Sequence, residues 1–122
     1  MQRTLDQELE QAIKELFLAF GKNPKYEKEV IKIYLKRILN YYELLDISLF
    51  EETCEVLEFS RNFLPTLNEI ADCYDFLQWC RKEADSTKKQ RLEMYKQYIN
   101  KTDFGKNNAV KSMYFLSKHY ES

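Results

Sequence analysis

The stretch that decides the fold reads Phe63-Leu64-Pro65-Thr66-Leu67-Asn68-Glu69-Ile70, near the middle of the chain. Pro65 lacks an amide hydrogen and disfavours helical geometry at Leu64, so a helix must end before it. Thr66, followed three positions later by Glu69, can form a capping box that satisfies the free amides of a new helix. The stretch therefore predicts the end of one helix and the start of another at Leu67.

We treat this stretch as a structural junction made of Phe63, Leu64, Pro65, Thr66 and Glu69. Apolar residues beside a helix break commonly pack under it as a staple, so Phe63 and Leu64 are predicted to be buried. Pro65 is expected to matter less to stability than either of them.

Helical periodicity runs through the first two-thirds of the chain. Apolar residues three and four positions apart predict four helices, and short polar breaks separate them. In the first helix, Thr4 with Gln7 can cap the start and Gly21 can close the end. The buried stripe of the second is predicted to comprise Tyr26, Val30, Ile33, Tyr34, Arg37, Ile38, Tyr41 and Leu45. The third starts at Asp46 or Ser48, and the fourth runs from Leu67 to about Glu83.

Composition supports an all-α fold. Aromatic residues make up 15% and apolar residues 44% of the 122 residues, while Gly and Pro number only two each. Such a chain can bury a core without disulfides, and it lacks the turn residues of a β-rich protein. We expect a compact bundle of about four helices over residues 1–83. The rings of Phe76 and Trp79 fall partly outside the apolar face of the fourth helix, so we expect them to need another surface.

The pattern changes after residue 83. A break at 84–87 precedes a helical segment from about Lys88 to Asn100, a polar loop over 101–108, and a short helix from Ala109 to Tyr120. Residues 84–122 are therefore predicted to be a basic, partly helical C-terminal extension. Because each segment is short for a stable isolated helix, we expect it to dock partly on the body.

Charge divides at nearly the same place. From Arg81 onward the chain has ten Lys and Arg against five Asp and Glu, a net charge of +5 that leaves −6 for the preceding residues out of −1 overall. A basic segment on an acidic body suits an adaptor that holds two partners. An ordinary solvated helix face explains the same lysines.

Motifs of catalysis and metal binding are not recognisable in the sequence. Cys54, Cys73 and Cys80 lack the spacing of a zinc or redox site and are predicted to be core residues. The only histidine, His119, has no identifiable catalytic or metal-binding partner, and there is no phosphate-binding glycine loop. We therefore expect no enzyme activity, no metal and no cofactor.

The junction at 63–70 and its continuation Phe76-Leu77-Gln78-Trp79-Cys80-Arg81-Lys82-Glu83 carry a resemblance to a known family. Over roughly residues 10 to 83 the chain resembles the small phage loader and inhibitor proteins of replicative DNA helicases, and it is similar to the lambda-type helicase-loading replication protein. The resemblance implies a non-catalytic adaptor that binds a replicative helicase, inhibits it, and delivers it to an origin. An origin-binding or single-stranded-DNA-binding protein would be the second partner.

In this family the C-terminal part engages the helicase, which places the predicted contact on residues 88–120. Aromatic and basic side chains are the expected anchors because such residues dominate binding hot spots. The predicted partner-binding residues are Lys88, Lys89, Arg91, Tyr95, Tyr98, Met113, Tyr114 and Phe115.

Two alternatives stay open at this stage. Lysines that alternate with aromatic rings in 88–118 are also typical of a helical protein that binds single-stranded nucleic acid, at least weakly. Exposed Phe76 and Trp79 could instead form a self-complementary surface of a plain helical homodimer.

The sequence also bears on where the protein acts. Residues 1–6 lack the apolar run of a signal peptide, and no stretch approaches the ~18 apolar residues of a membrane span. We therefore expect a cytoplasmic protein without membrane contact.

Overall fold

A computed structural model describes residues 4–101 of the chain, and within this range the protein contains helices and no strands. The helices are α1 (Leu5–Ala19), α2 (Lys28–Tyr41), α3 (Ile47–Ser60), α4 (Leu67–Glu83) and α5 (Lys88–Lys101), and a single 3₁₀ turn, Pro24–Tyr26, precedes α2. The all-α bundle predicted from the sequence is confirmed. None of the described helices is long and apolar enough to cross a membrane.

Capping boxes begin the helices that the sequence signals marked. The Thr66 hydroxyl accepts the Glu69 amide at 3.2 Å, and the Glu69 carboxylate accepts the Thr66 amide at 3.2 Å. Thr4 and Gln7 form the same reciprocal pair at the start of α1. A third box between Thr87 and Gln90 begins α5. Its sequence signature, Thr followed three positions later by Gln, is as clear as the other two, although the prediction from the sequence did not include it.

The C-terminal end of α1 is a Schellman motif. Gly21 takes the left-handed conformation with φ of 75°, the Lys22 amide donates to the Phe17 carbonyl at 2.9 Å, and the Gly21 amide donates to the Leu18 carbonyl at 3.0 Å. The predicted role of Gly21 is confirmed, because this conformation is open to glycine without a steric cost.

The core is formed where α1, α3 and α4 meet. Phe17, Phe50 and Leu77 are fully buried there, and all three cysteines are buried and free, as predicted. Burial raises the pKa of each thiol, so the cysteines are inert packing residues at neutral pH.

Tyrosine hydroxyl groups attach the inner face of α2 to α4. The Tyr34 hydroxyl donates to the Pro65 carbonyl at 2.9 Å, and the Tyr42 hydroxyl donates to the Asp75 carboxylate at 2.9 Å. The Tyr34 ring also packs edge-on against Phe17 of α1 at 5.2 Å. These bonds hold α2 in one rotation about its axis, and that rotation decides which of its apolar residues face solvent.

Helix α5 completes the core. Tyr95 and Tyr98 have no exposed surface. The ring of Phe76 in α4 stacks on that of Tyr98 with 4.7 Å between ring centroids, and it meets the Tyr95 ring edge-on with 5.5 Å between centroids. The Tyr98 hydroxyl donates to the buried Asp72 carboxylate at 3.1 Å. The prediction of an exposed Phe76 was therefore wrong: the surface that its ring needs is α5. Trp79 is half-buried against the same core.

A buried ion pair joins α5 to α3. Arg91 donates to both carboxylate oxygens of Glu52, from Nε at 2.6 Å and from Nη2 at 2.7 Å, and a third bond reaches the Ser86 carbonyl. The side chains of Arg91 and Glu52 are each only 9% exposed. The predicted boundary at residue 83 is thus corrected, since residues 88–101 belong to the same core as residues 5–83. The rest of the predicted extension, including the helix Ala109–Tyr120, lies outside the described residues.

The junction differs from the prediction in one respect. Phe63 is 84% exposed and Leu64 is half-buried, whereas Pro65 is the buried residue. The predicted staple at Phe63 is absent because the chain leaves α3 in an extended conformation at Arg61, and the Pro65 carbonyl is the group that binds the core through Tyr34. Pro65 therefore occupies the inner position that was assigned to Phe63.

Truncation tests whether α5 belongs to the core. A chain that ends at Glu83 deletes the Arg91–Glu52 pair and uncovers Phe76, which Tyr95 and Tyr98 bury in the full chain. Each large apolar side chain that becomes exposed costs about 1.5–3 kcal/mol. Because a typical domain is stable by only about 5–15 kcal/mol, this chain should be largely unfolded by circular dichroism and thermal melting. A chain that ends at Lys101 is the matched control and should melt cooperatively. A cooperative transition for the shorter chain would contradict the assignment of α5.

Candidate interaction surface

Three of the five predicted partner-binding residues on α5 face the interior. Arg91, Tyr95 and Tyr98 are buried within the domain, so their assignment as partner anchors was wrong. They are core residues because each meets a group on α3 or α4, namely Glu52, Phe76 or Asp72. No local sequence pattern distinguishes such a residue from a surface anchor.

The remaining predicted residues divide into two groups. Lys88 is exposed, and its ammonium group lies 2.6 Å from the Glu55 carboxylate. This hydrogen bond raises the pKa of the ammonium group. Lys89 is exposed at the start of α5. Met113, Tyr114 and Phe115 lie outside the described residues, so their assignment stays a prediction.

Exposed large hydrophobic residues of the described chain are concentrated on and beside the outer face of α2. Among residues 4–101, nine large hydrophobic residues are exposed, and five of them lie between positions 26 and 44. We call them the α2 stripe: Tyr26, Val30, Ile33, Tyr41 and Leu44. Residues spaced three and four apart share one side of a helix, so Val30, Ile33 and Tyr41 lie in one row, with Arg37 between Ile33 and Tyr41.

The rotation of α2 explains why this row faces solvent. Ile31 and Ile38 are buried against the bundle, and Tyr34 and Tyr42 on their flanks make the hydrogen bonds to Pro65 and Asp75. The buried stripe predicted from the sequence combined Tyr34, Ile38 and Leu45 with residues of the outer face, and it omitted Ile31 and Tyr42. That prediction was wrong for Tyr26, Val30, Ile33, Arg37 and Tyr41, all of which are exposed. Helix α2 has apolar residues on two sides, so periodicity alone could not identify the buried one.

Charged side chains accompany the α2 stripe. Arg37 lies four residues from both Ile33 and Tyr41 and is exposed between them, and it makes no ion pair with any residue in 4–101. Lys32 and Lys36 lie on one edge of α2 together with Glu29, and the exposed Lys25 and Glu43 lie just before and just after the helix. Lys32 is held by Glu29 at 3.8 Å, a pair of little strength because both groups are well exposed. The lysines beside the α2 stripe outnumber the glutamates by one, and Arg37 adds a further positive charge.

A shallow acidic groove lies between α1 and α3, away from the α2 stripe. It is lined by Ala12, Glu15, Glu51, Cys54, Glu55 and Glu58. Partial burial, and then the neighbouring carboxylates of Glu55 and Glu15, raise the pKa of Glu58. The carboxylates of Glu15 and Glu55 therefore repel that of Glu58 in this groove. Within the described range no set of side chains is arranged to hold a metal ion.

Comparison of the chain with protein-family models, with curated proteins and with solved structures finds no match in any of the three.

Removing the charge of Glu58 should stabilise the protein at neutral pH. A carboxyl group whose pKa is raised on folding opposes folding while it is ionised, and this cost disappears as pH falls through the raised value and then through the unfolded value of about 4.3. Glu58→Gln should therefore raise the melting temperature at pH 7 and lose that advantage by about pH 3.

Glu43→Gln is the matched control, because Glu43 is an exposed carboxylate outside the groove. It should change the melting temperature much less at every pH. A lower melting temperature for Glu58→Gln at pH 7, or a gain that persists unchanged in acid, would contradict the repulsion in the groove.

Proposed function

We propose that this protein is a non-catalytic adaptor that binds another protein through the α2 stripe. In the setting that the resemblance to phage loader and inhibitor proteins indicates, the bound protein is a replicative DNA helicase, which the adaptor inhibits, loads, or both. Such an adaptor would act in the cytoplasm.

The observation that carries this proposal is the exposure of Val30, Ile33 and Tyr41 in one row. Contiguous apolar patches are uncommon on monomeric proteins and are typical of binding sites. The domain does not need these side chains for its own core, because Ile31 and Ile38 on the opposite side of α2 supply its buried contacts. The row is therefore available to bind a second macromolecule.

An adaptor needs two surfaces, and the described chain offers a second one. Phe59 and Phe63 are 71% and 84% exposed at the end of α3, separated in sequence from the α2 stripe by the first part of α3. A small pair of aromatic residues suits a weaker contact than the five-residue stripe. We assign the helicase to the α2 stripe and an origin-binding or single-stranded-DNA-binding protein to Phe59 and Phe63.

This assignment moves the helicase contact away from α5. Lys88 and Lys89 at the start of that helix can contribute only charges at the rim of an interface, and rim charges affect the association rate more than affinity. Met113, Tyr114 and Phe115 keep their assignment as a second helicase contact.

Capture of a purified replicative helicase on immobilised protein tests the proposal. Ile33→Asp places a charge in the middle of the apolar row at an exposed position, so it should reduce capture by at least about tenfold, as expected for a hot-spot residue, without changing the melting temperature. Phe63→Asp is the matched control, because it makes the same kind of change at an exposed apolar residue of the other surface.

Failure of the wild-type chain to capture any replicative helicase would contradict the proposed function. Equal capture by wild type and Ile33→Asp would move the contact off the α2 stripe. A chain that ends at Lys101 measures separately what Met113, Tyr114 and Phe115 contribute.

A further inference from the structure

Arg37 is the unusual member of the outer face of α2. It lies in the apolar row, one helical turn from Ile33 on one side and from Tyr41 on the other. Its guanidinium group is always ionised, and it has no ion-pair partner in residues 4–101. A partner that covers the row must therefore desolvate this cation, which costs several kcal/mol unless the partner supplies a carboxylate or another strong acceptor.

The shape of the row suits a helix. Positions 30, 33, 37 and 41 are separated by three or four residues along α2, and Tyr26 and Leu44 are exposed just outside its two ends. Side chains at this spacing form a ridge with grooves beside it, into which the ridges of a second helix pack. Short loops and flat sheets do not match a ridge of this length, and helix-in-groove recognition uses the same spacing of anchors.

The charged residues beside the α2 stripe favour the same kind of partner as Arg37 does. Lys25 and Lys36 make no ion pair with other described residues, whereas Lys32 is already paired with Glu29. The net charge beside the stripe is therefore positive. Electrostatic complementarity favours a partner helix with acidic residues along its matching edge.

We infer that the outer face of α2 binds an amphipathic helix of a partner protein, with an acidic residue within that helix's apolar stripe facing Arg37 and further acidic residues facing Lys25 and Lys36. This inference deepens the proposed function and rests on it only in that the α2 stripe binds a protein. It does not depend on which protein supplies the helix.

A second copy of the chain fits this surface less well. Two-fold pairing of α2 helices centred on the row would bring Arg37 close to Arg37 of the other copy, and like charges in an interface cost several kcal/mol. Nucleic acid also fits less well. Glu29 on the edge of α2 and Glu43 just after the helix repel phosphates, and Val30, Ile33 and Leu44 are aliphatic side chains that cannot stack on bases.

Selection from a displayed peptide library tests the inference. The library presents 20-residue helical peptides whose apolar residues are fixed at positions three and four apart. Asp, Glu, Lys and Arg are mixed at the other positions and at one central position within the peptide's own apolar stripe. Against the wild-type chain, Asp and Glu should be enriched at that central position and along one edge. The enriched peptides should bind Arg37→Glu at least about tenfold more weakly than wild type, the loss of a hot-spot contact.

Two variants with the same change of charge separate the surface from general electrostatics. Arg37→Glu should shift the selection away from acidic central residues, whereas Lys89→Glu on α5 should leave it unchanged. Ile33→Asp should abolish enrichment altogether. Melting temperatures of all three should match wild type, because each residue is exposed.

Several outcomes would overturn the inference. They are the absence of enriched peptides, enrichment of basic ones, and acidic peptides that bind Ile33→Asp as well as wild type. Sedimentation that shows a dimer dissociated by Ile33→Asp would assign the face to a second copy. Salt-sensitive binding of a single-stranded oligonucleotide that Arg37→Glu abolishes would assign it to nucleic acid.

Failure of the inference and failure of the proposed function can be told apart. Acidic helices selected on α2 without any helicase capture would leave the inference standing and reject the helicase. Helicase capture that neither Ile33→Asp nor Arg37→Glu reduces would keep the helicase as the partner, move its contact off the α2 stripe, and reject the inference.

Discussion

The buried ion pair between Arg91 and Glu52 is the constraint on which the arrangement of the described chain depends. Two charged groups are held away from water by bonds of 2.6 and 2.7 Å, and neither tolerates the absence of the other. Such a pair contributes less to net stability than to position: it fixes where α5 lies on α3. The same placement brings Tyr95 and Tyr98 onto Phe76 and lets Tyr98 reach Asp72. A helix with a strongly polar composition thereby becomes part of a single core.

This placement has a consequence for the surface. With α5 covering α3 and α4, the aromatic residues in the second half of the described chain are largely used for folding. The exposed apolar residues that remain are concentrated on α2, whose inner face is attached to α4 by Tyr34 and Tyr42. Because those hydrogen bonds set the rotation of α2, they also determine that Val30, Ile33 and Tyr41 face solvent. Core and interaction surface are thus two results of the same packing.

Local signals in the sequence predicted the fold well where a local interaction determines it. Capping boxes at Thr4 and Thr66, the glycine at position 21, the start of α4 and the buried cysteines all depend on residues within one or two turns. The docking of α5 could not be predicted in this way, because Arg91 meets a carboxylate 39 positions away. Lysine-rich composition suggested an extension, and only the distant partners of Arg91 and Tyr98 show otherwise.

The interaction surface was the less predictable part for a related reason. Helix α2 carries apolar residues on both sides, and its hydrogen bonds to Pro65 and Asp75, more than 30 positions away, select the buried side.

Native-state hydrogen exchange tests the central claim that α5 belongs to the core. The amides of Tyr95 and Tyr98 should exchange with the same opening free energy as those of Leu57 in α3 and Leu77 in α4, because all four open only on global unfolding. Exchange of the α5 amides at a much lower free energy, with α3 and α4 still protected, would contradict the account.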